Sequence, residues 1–89
     1  MAKLKRHKAF LKDYASLRLS DTQFEKLIAY LHCLQEETPL PPEAKDHLLK
    51  GEWRNFREFH LGGDTLLIYA VNNEVITLAR IGTHSQLFR

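Results

Sequence analysis

The chain has a single cysteine, Cys33, which excludes an internal disulfide and a zinc site built from several cysteines, and it fits a reducing compartment. No apolar run approaches the length that spans a bilayer, so no membrane is expected as a partner. The basic N-terminus is followed by no uninterrupted apolar segment of the kind a signal peptide needs, and the expected location is the cytoplasm. Repeats and low-complexity stretches are missing as well. Paired cysteines and the His-x-x-x-His spacing that make a zinc assignment specific are absent, so no metal and no cofactor is expected to serve the chemistry.

What is present is short and mixed. The 89 residues make one domain, 1–89, in which a fold buries only about 60–65 per cent of the unfolded surface, so polar residues in the core are costly. Hydrophobic residues make up 44%, ordinary for a globular chain. The net charge of +2 is unevenly spread: Lys3, Lys5, Arg6, Lys8, Lys12 and Arg18 crowd the beginning against one acid, Asp13. Such a patch meets phosphates or an acidic partner, or is simply a solvated helix face.

Lys3 to Arg6 has room for a short strand. Phe10, Leu11, Tyr14 and Leu17 then recur at helical spacing, which predicts an amphipathic helix over 8–18. Ser20-Asp21-Thr22-Gln23 is a capping box, opening a second helix with the stripe Phe24, Leu27, Ile28, Leu31 and Leu34. Tyr30, Lys26 and Cys33 fall roughly opposite that stripe. Thr38-Pro39 and Pro41-Pro42 end the helix by Glu37, and Pro39 to Lys50 reads as a linker. So short a link between the helices predicts an antiparallel helical hairpin with its stripes against a sheet.

The sheet is the second half. Trp53 to His60, Leu66 to Val71 and Val75 to Ile81 read as strands, separated by the glycine turn Gly62-Gly63 and by Asn72-Asn73, which together predict a three-strand antiparallel meander. In a meander the glycine turn and the end of the last strand share one edge, which brings His60, Asp64 and His84 together. The outer strands lie roughly 10 Å apart across the middle one, a span that two imidazoles can use to bracket one phosphate. Arg57 and Arg80 fall near the same edge and can add charge. Spacing alone does not place His47 there. Three readings of the cluster stand side by side: a metal site, acid-base catalysis by His with Asp, and histidines that only cap strand ends.

The motifs narrow these readings. KDHLLKGEW, FREFH, the D-x-LLIY run and the ending RIGTHSQLF occur in order from Lys45 to Phe88, and this half closely resembles the YafQ branch of the RelE/ParE superfamily of bacterial toxins. The basic start and the helical hairpin match that family in kind, so the resemblance covers essentially the whole chain. It implies an α+β fold: a small antiparallel sheet of about four strands with an N-terminal helical hairpin packed on it. It also implies a toxin-antitoxin toxin that cuts mRNA on the ribosome, is neutralised by a cognate antitoxin, and reaches operator DNA through that antitoxin. Carried over position by position, His47, His60, Asp64 and His84 are the implied catalytic residues. Phe88 helps place the nucleotide, and Arg57 and Arg80 are further candidates for substrate binding. Thr65 departs from the pattern, because the relatives carry a bulky aromatic after the aspartate. The alternative from another class is a gyrase-inhibiting toxin of the same superfamily, which needs no histidine cluster.

Overall fold

A computed structural model describes residues 1–88. In chain order the elements are strand β1 (Lys3–Arg6), helix α1 (Lys8–Ser16), helix α2 (Asp21–Gln35), strand β2 (His47–Leu48), strand β3 (Arg57–Gly62), strand β4 (Thr65–Asn72), strand β5 (Val75–Thr83) and the short helix α3 (His84–Leu87). The fold is α+β, with the helical hairpin on one face of the sheet, as expected. The sheet has five strands in the order β1-β5-β4-β3-β2, not about four. The outermost pair, β1 with β5, is parallel and the rest antiparallel. The fifth strand comes from inside the stretch read as a linker. Pro42–Ala44 makes a single 3-10 turn, Lys45 turns the chain at φ 50°, and His47 and Leu48 then pair with Glu58 and Arg57. Two residues carry no readable alternation, which is why the sequence concealed this strand.

The capping box forms as read. Ser20 Oγ accepts from the Gln23 amide, and Gln23 Oε1 accepts from the Ser20 amide. Gln23 also donates through Nε2 to the Gly62 carbonyl at 3.0 Å, so the start of α2 is tied to the β3–β4 turn. Gly62 and Gly63, at φ 103° and 60°, make that turn possible, since a Cβ disfavours both conformations. The next hairpin turns on Asn73-Glu74, one residue later than Asn72-Asn73. Asn72 pairs with Val75, and both loop residues have positive φ, as a type I′ turn requires. Trp53 does not begin the first long strand either. It closes a 3-10 turn, Gly51–Trp53, and β3 starts at Arg57.

The two faces of the sheet carry different cores. Phe59, Leu61, Leu67, Tyr69, Leu78 and Ile81 pack with Phe10, Leu27 and Tyr30 under the helices. Tyr30 is 3% exposed and sets its ring edge-on to Phe59, whereas Phe24 and Ile28 of the expected stripe are 45% and 53% exposed. The buried line of α2 is therefore rotated toward Tyr30. The opposite face holds a smaller cluster, Leu66, Ile68, Ala79 and Leu87, with Trp53, Phe56 and Phe88 against it. That second face is left open by the hairpin, and the candidate site lies on it.

Candidate functional site

Register places the site residues in two rows. His47 pairs with Glu58, Glu58 with Ile68, and Ile68 with Arg80. His60 pairs with Leu66, and Leu66 with Gly82. Paired residues point to one side of a sheet, so His47, Glu58, His60 and Arg80 share the open face with Leu66 and Ile68. Gly82 ends the second row without a side chain, and α3 folds over it. A Cβ at Gly82 would sit 2.9 Å from Gln86 Oε1 and 3.5 Å from Leu87. This close approach brings His84 and Phe88 onto the sheet.

One group of residues centres on Glu58, which the sequence reading passed over. It is 5% exposed, and its Oε2 lies 3.0 Å from His60 Nε2 and 3.3 Å from His47 Nε2. The two imidazoles stack at 6.2 Å between centroids. His47 thus joins His60, as the resemblance implied. The partner that His60 meets is Glu58 rather than Asp64. A charged residue at a position whose neighbours Phe59 and Ile68 are fully buried was the available signal, since a buried carboxylate needs a cation or donors.

The second group lies at the end of β5. Thr83 caps α3 by accepting from the Gln86 amide, His84 occupies the first helical position, and its amide donates to the Asp64 carbonyl at 3.1 Å. Asp64 and His84 are therefore neighbours through backbone, with both side chains exposed. The His84 ring lies 4.9 Å from the Phe88 ring, and Phe88 meets Trp53 edge-on at 6.2 Å. The residues expected to form one cluster at a sheet edge thus form two, spread across a face.

The two arginines are engaged within the protein. Arg80 binds Asp13 of α1 through Nε at 2.6 Å and Nη2 at 3.1 Å, and Asp13 also accepts from the Ile81 amide. The bond to Asp13 outweighs burial and holds the Arg80 guanidinium above its ordinary pKa. Arg57 binds Asp46 at 3.2 Å. Burial pulls its guanidinium down, but the bonds in the Asp46–Tyr69 group more than offset this. Both remain cationic, and the fields of both are partly neutralised by these acids.

The comparisons decide the family. Residues 2–89 match the family described as the bacterial YafQ toxin of type II toxin-antitoxin systems. The chain belongs to the YafQ toxin family. A YafQ relative from Haemophilus influenzae is 40% identical over 65 residues, 68% of this chain, and the match spans just under two thirds, 64%, of the relative's length. The mRNA interferase toxin YafQ of Escherichia coli B is 34% identical over 80 residues, covering 89% of this chain and 87% of its own. Among solved structures, a copper-bound mutant toxin from Helicobacter pylori is 38% identical, with a TM-score of 0.85 over 99% of this chain and 100% of that one. YafQ in the E. coli DinJ-YafQ complex is 32% identical, with a TM-score of 0.82 over the whole of both chains. The YafQ fold, with its helical hairpin on a mostly antiparallel sheet, is the fold of this chain. Among the described residues no helix is long and apolar enough to cross a membrane.

Proposed function

We propose that this chain is a ribosome-dependent endoribonuclease, the toxin of a type II toxin-antitoxin pair. The observation that carries the reading is the His47–Glu58–His60 group beside the His84–Phe88 pair on one open face, in a chain that matches the YafQ family along its length. Three imidazoles can move protons near neutral pH. Asp64, exposed at the β3–β4 turn and joined to His84 through its backbone carbonyl, would orient a ring or the substrate. Phe88 and Trp53 offer aromatic faces to a base, which stacks on such rings whatever its identity. Cleavage by these groups requires no metal. The relative named mRNA interferase supports this assignment over gyrase inhibition, for which the histidines have no use.

An engaged ribosome would present the message, because so small a face has little surface with which to capture RNA by itself. Primer extension on a translated message is expected to show cuts that disappear when translation is blocked. Equal cutting of naked RNA would sink the ribosome requirement, and inhibition of gyrase supercoiling by the purified protein would restore the alternative.

The proposed neutralising partner is an acidic antitoxin segment. Leu4, Leu11, Tyr14, Phe24 and Ile28 are large apolar residues left exposed around a groove between β1, α1 and α2, which Arg6 also lines, and Lys3, Lys5, Lys8 and Lys12 lie exposed elsewhere on β1 and α1. A chain that folds on binding can cover both. The DinJ-YafQ complex supports pairing of this kind. Operator DNA would be bound through that partner. Reversing the five charges is expected to abolish co-purification with the protein of the neighbouring reading frame; retained co-purification removes the basic patch from the proposal.

A further inference from the structure

The aromatic surface of the open face does not end at Phe88. Trp53, which meets Phe88 edge-on, also meets Phe56 edge-on at 5.1 Å between centroids. Beside this pair lies a cavity of about 350 Å³ with His7, Trp53, Phe56, Thr77, Ala79 and Arg80 in its lining. Small-molecule sites begin at about 300 Å³, so the space is large enough for a flat ligand. Strand β5 is bent to make it. The register against β4 slips between Ile68 and Tyr69, so Ala79 has no partner and Arg80 comes to the side of Thr77, where strict alternation would send it to the opposite face. Ala79 is buried and small, which leaves room above it.

The polar groups of this pocket are donors. His7 is the N-cap of α1, and its Nδ1 accepts from the Ala9 amide at 3.0 Å. An amide only donates, so on the neutral ring Nε2 carries the hydrogen and is left as a donor. Capping alone does not call for an imidazole, since Asn, Asp and Ser are the preferred caps. Arg80 commits Nε and Nη2 to Asp13, and its Nη1 has no partner among the described residues. The lining contains no carboxylate.

We propose that this pocket takes a purine base of the message beside the cut, guanine in preference to adenine, with His7 and Arg80 on its acceptor edge. Guanine offers two adjacent acceptors, N7 and O6, whereas adenine has an amino donor in place of the second. Trp53 and Phe56 supply the stacking surface, which accepts any base, and the donors supply the selection. Ring contacts run from Phe56 through Trp53 and Phe88 to His84, so a base in the pocket and a phosphate at His84 can belong to neighbouring positions of one strand. Selection at the cut rests on the nuclease reading above. Occupancy of the pocket does not.

Amide and indole NMR spectra of the full chain, titrated with guanosine 5′-monophosphate, test occupancy. The Trp53 indole signal and the amides of Thr77, Ala79 and Arg80 are expected to shift and saturate, with smaller shifts from cytidine 5′-monophosphate. No shift at Trp53 and Ala79, or equal shifts from ribose 5-phosphate, overturns the base pocket. Signals that ignore the nucleotide but move on addition of the protein of the neighbouring reading frame would make the pocket an antitoxin contact and overturn it too. On programmed ribosomes, messages differing only in a base flanking the cut should be cut at least about fivefold faster with guanine than with adenine at one flanking position. His7→Asn keeps an acceptor for the helix cap, so it folds, and in it this ratio should fall toward one. A ratio unchanged in His7→Asn overturns selection by His7. If the wild type cuts none of the messages, the nuclease reading fails, and the shifts with guanosine 5′-monophosphate decide the pocket by themselves.

Discussion

The Tyr69 hydroxyl donates to Asp46 Oδ1 at 2.5 Å, joining the centre of the sheet to the residue just before His47. Arg57 Nε reaches the same oxygen at 3.2 Å. Strand β2 has only two residues paired with β3, too few to hold its own position. The latch through Tyr69 therefore helps keep His47 against Glu58.

Tyr69→Phe is expected to lose about 2 kcal/mol, as for a buried hydrogen bond to a charged group, and to lower Tm by about 10 °C in a domain of this size. Burial first, and the Asp46 carboxylate second, push the Tyr69 pKa well above its ordinary value of 10.0. The folded state thus holds the phenolic proton more tightly than the unfolded state. Its contribution to stability is complete below about pH 10 and is lost as pH rises toward the folded value. Stability curves of the wild type and Tyr69→Phe should therefore converge above pH 10; a constant difference would show that the shift makes no contribution.

Arg80 and Asp13 test a division of labour. If the guanidinium serves mainly to pin α1 to β5, Asp13→Ala and Arg80→Ala should destabilise alike, each by about 3 kcal/mol, since either change leaves the other charge without its partner in a partly buried site. Urea melts of the two single variants and the double variant measure this coupling. A stable Arg80→Ala with lost cleavage would return Arg80 to the substrate.

Much of this architecture was readable in the chain, and what was hidden has identifiable causes. The capping box, the glycine turn and the long strands β4 and β5 stand on local chemistry, which a sequence displays directly. Tyr30 was placed opposite the stripe of α2 although it lies only about 60° round the helix from Leu27, and it is buried with Leu27 while Phe24 and Ile28 stay exposed at the groove. Glu58 was missed because one of its partners, His47, comes near only through pairing with β2, and the other, His60, meets it only on the shared face of β3. His47 came from family resemblance alone, for a two-residue strand leaves no periodic trace.

His84→Ala separates chemistry from folding. The cap by Thr83 and the bond to the Asp64 carbonyl both use groups the variant keeps, so Tm should change little. Cleavage on programmed ribosomes should fall roughly a hundredfold or more if this imidazole moves a proton. A loss in stability as large as the loss in rate would assign His84 to structure instead.

The last expectation concerns the nucleophile. Cys33 lies on α2, behind the sheet, and Thr83 Oγ1 is held in the α3 cap by the Gln86 amide. RNA brings a nucleophile of its own in the 2′-hydroxyl, which DNA lacks. Attack on the adjacent phosphorus requires that hydroxyl to lose a proton while the 5′ leaving oxygen gains one, so two proton carriers are needed on opposite sides of the phosphate. The His47–Glu58–His60 group lies on β2 and β3, whereas His84 opens α3 just beyond β5, and the ends of the second row, His60 and Gly82, are roughly 10 Å apart, a separation that leaves room for a phosphate between imidazoles reaching inward. The upstream product should carry a 2′,3′-cyclic phosphate or the 3′-phosphate formed from it. A message with one 2′-deoxy nucleotide at the cut site should bind the toxin-ribosome complex and resist cleavage, and cutting at the normal rate would show that water, rather than the RNA, is the attacking group.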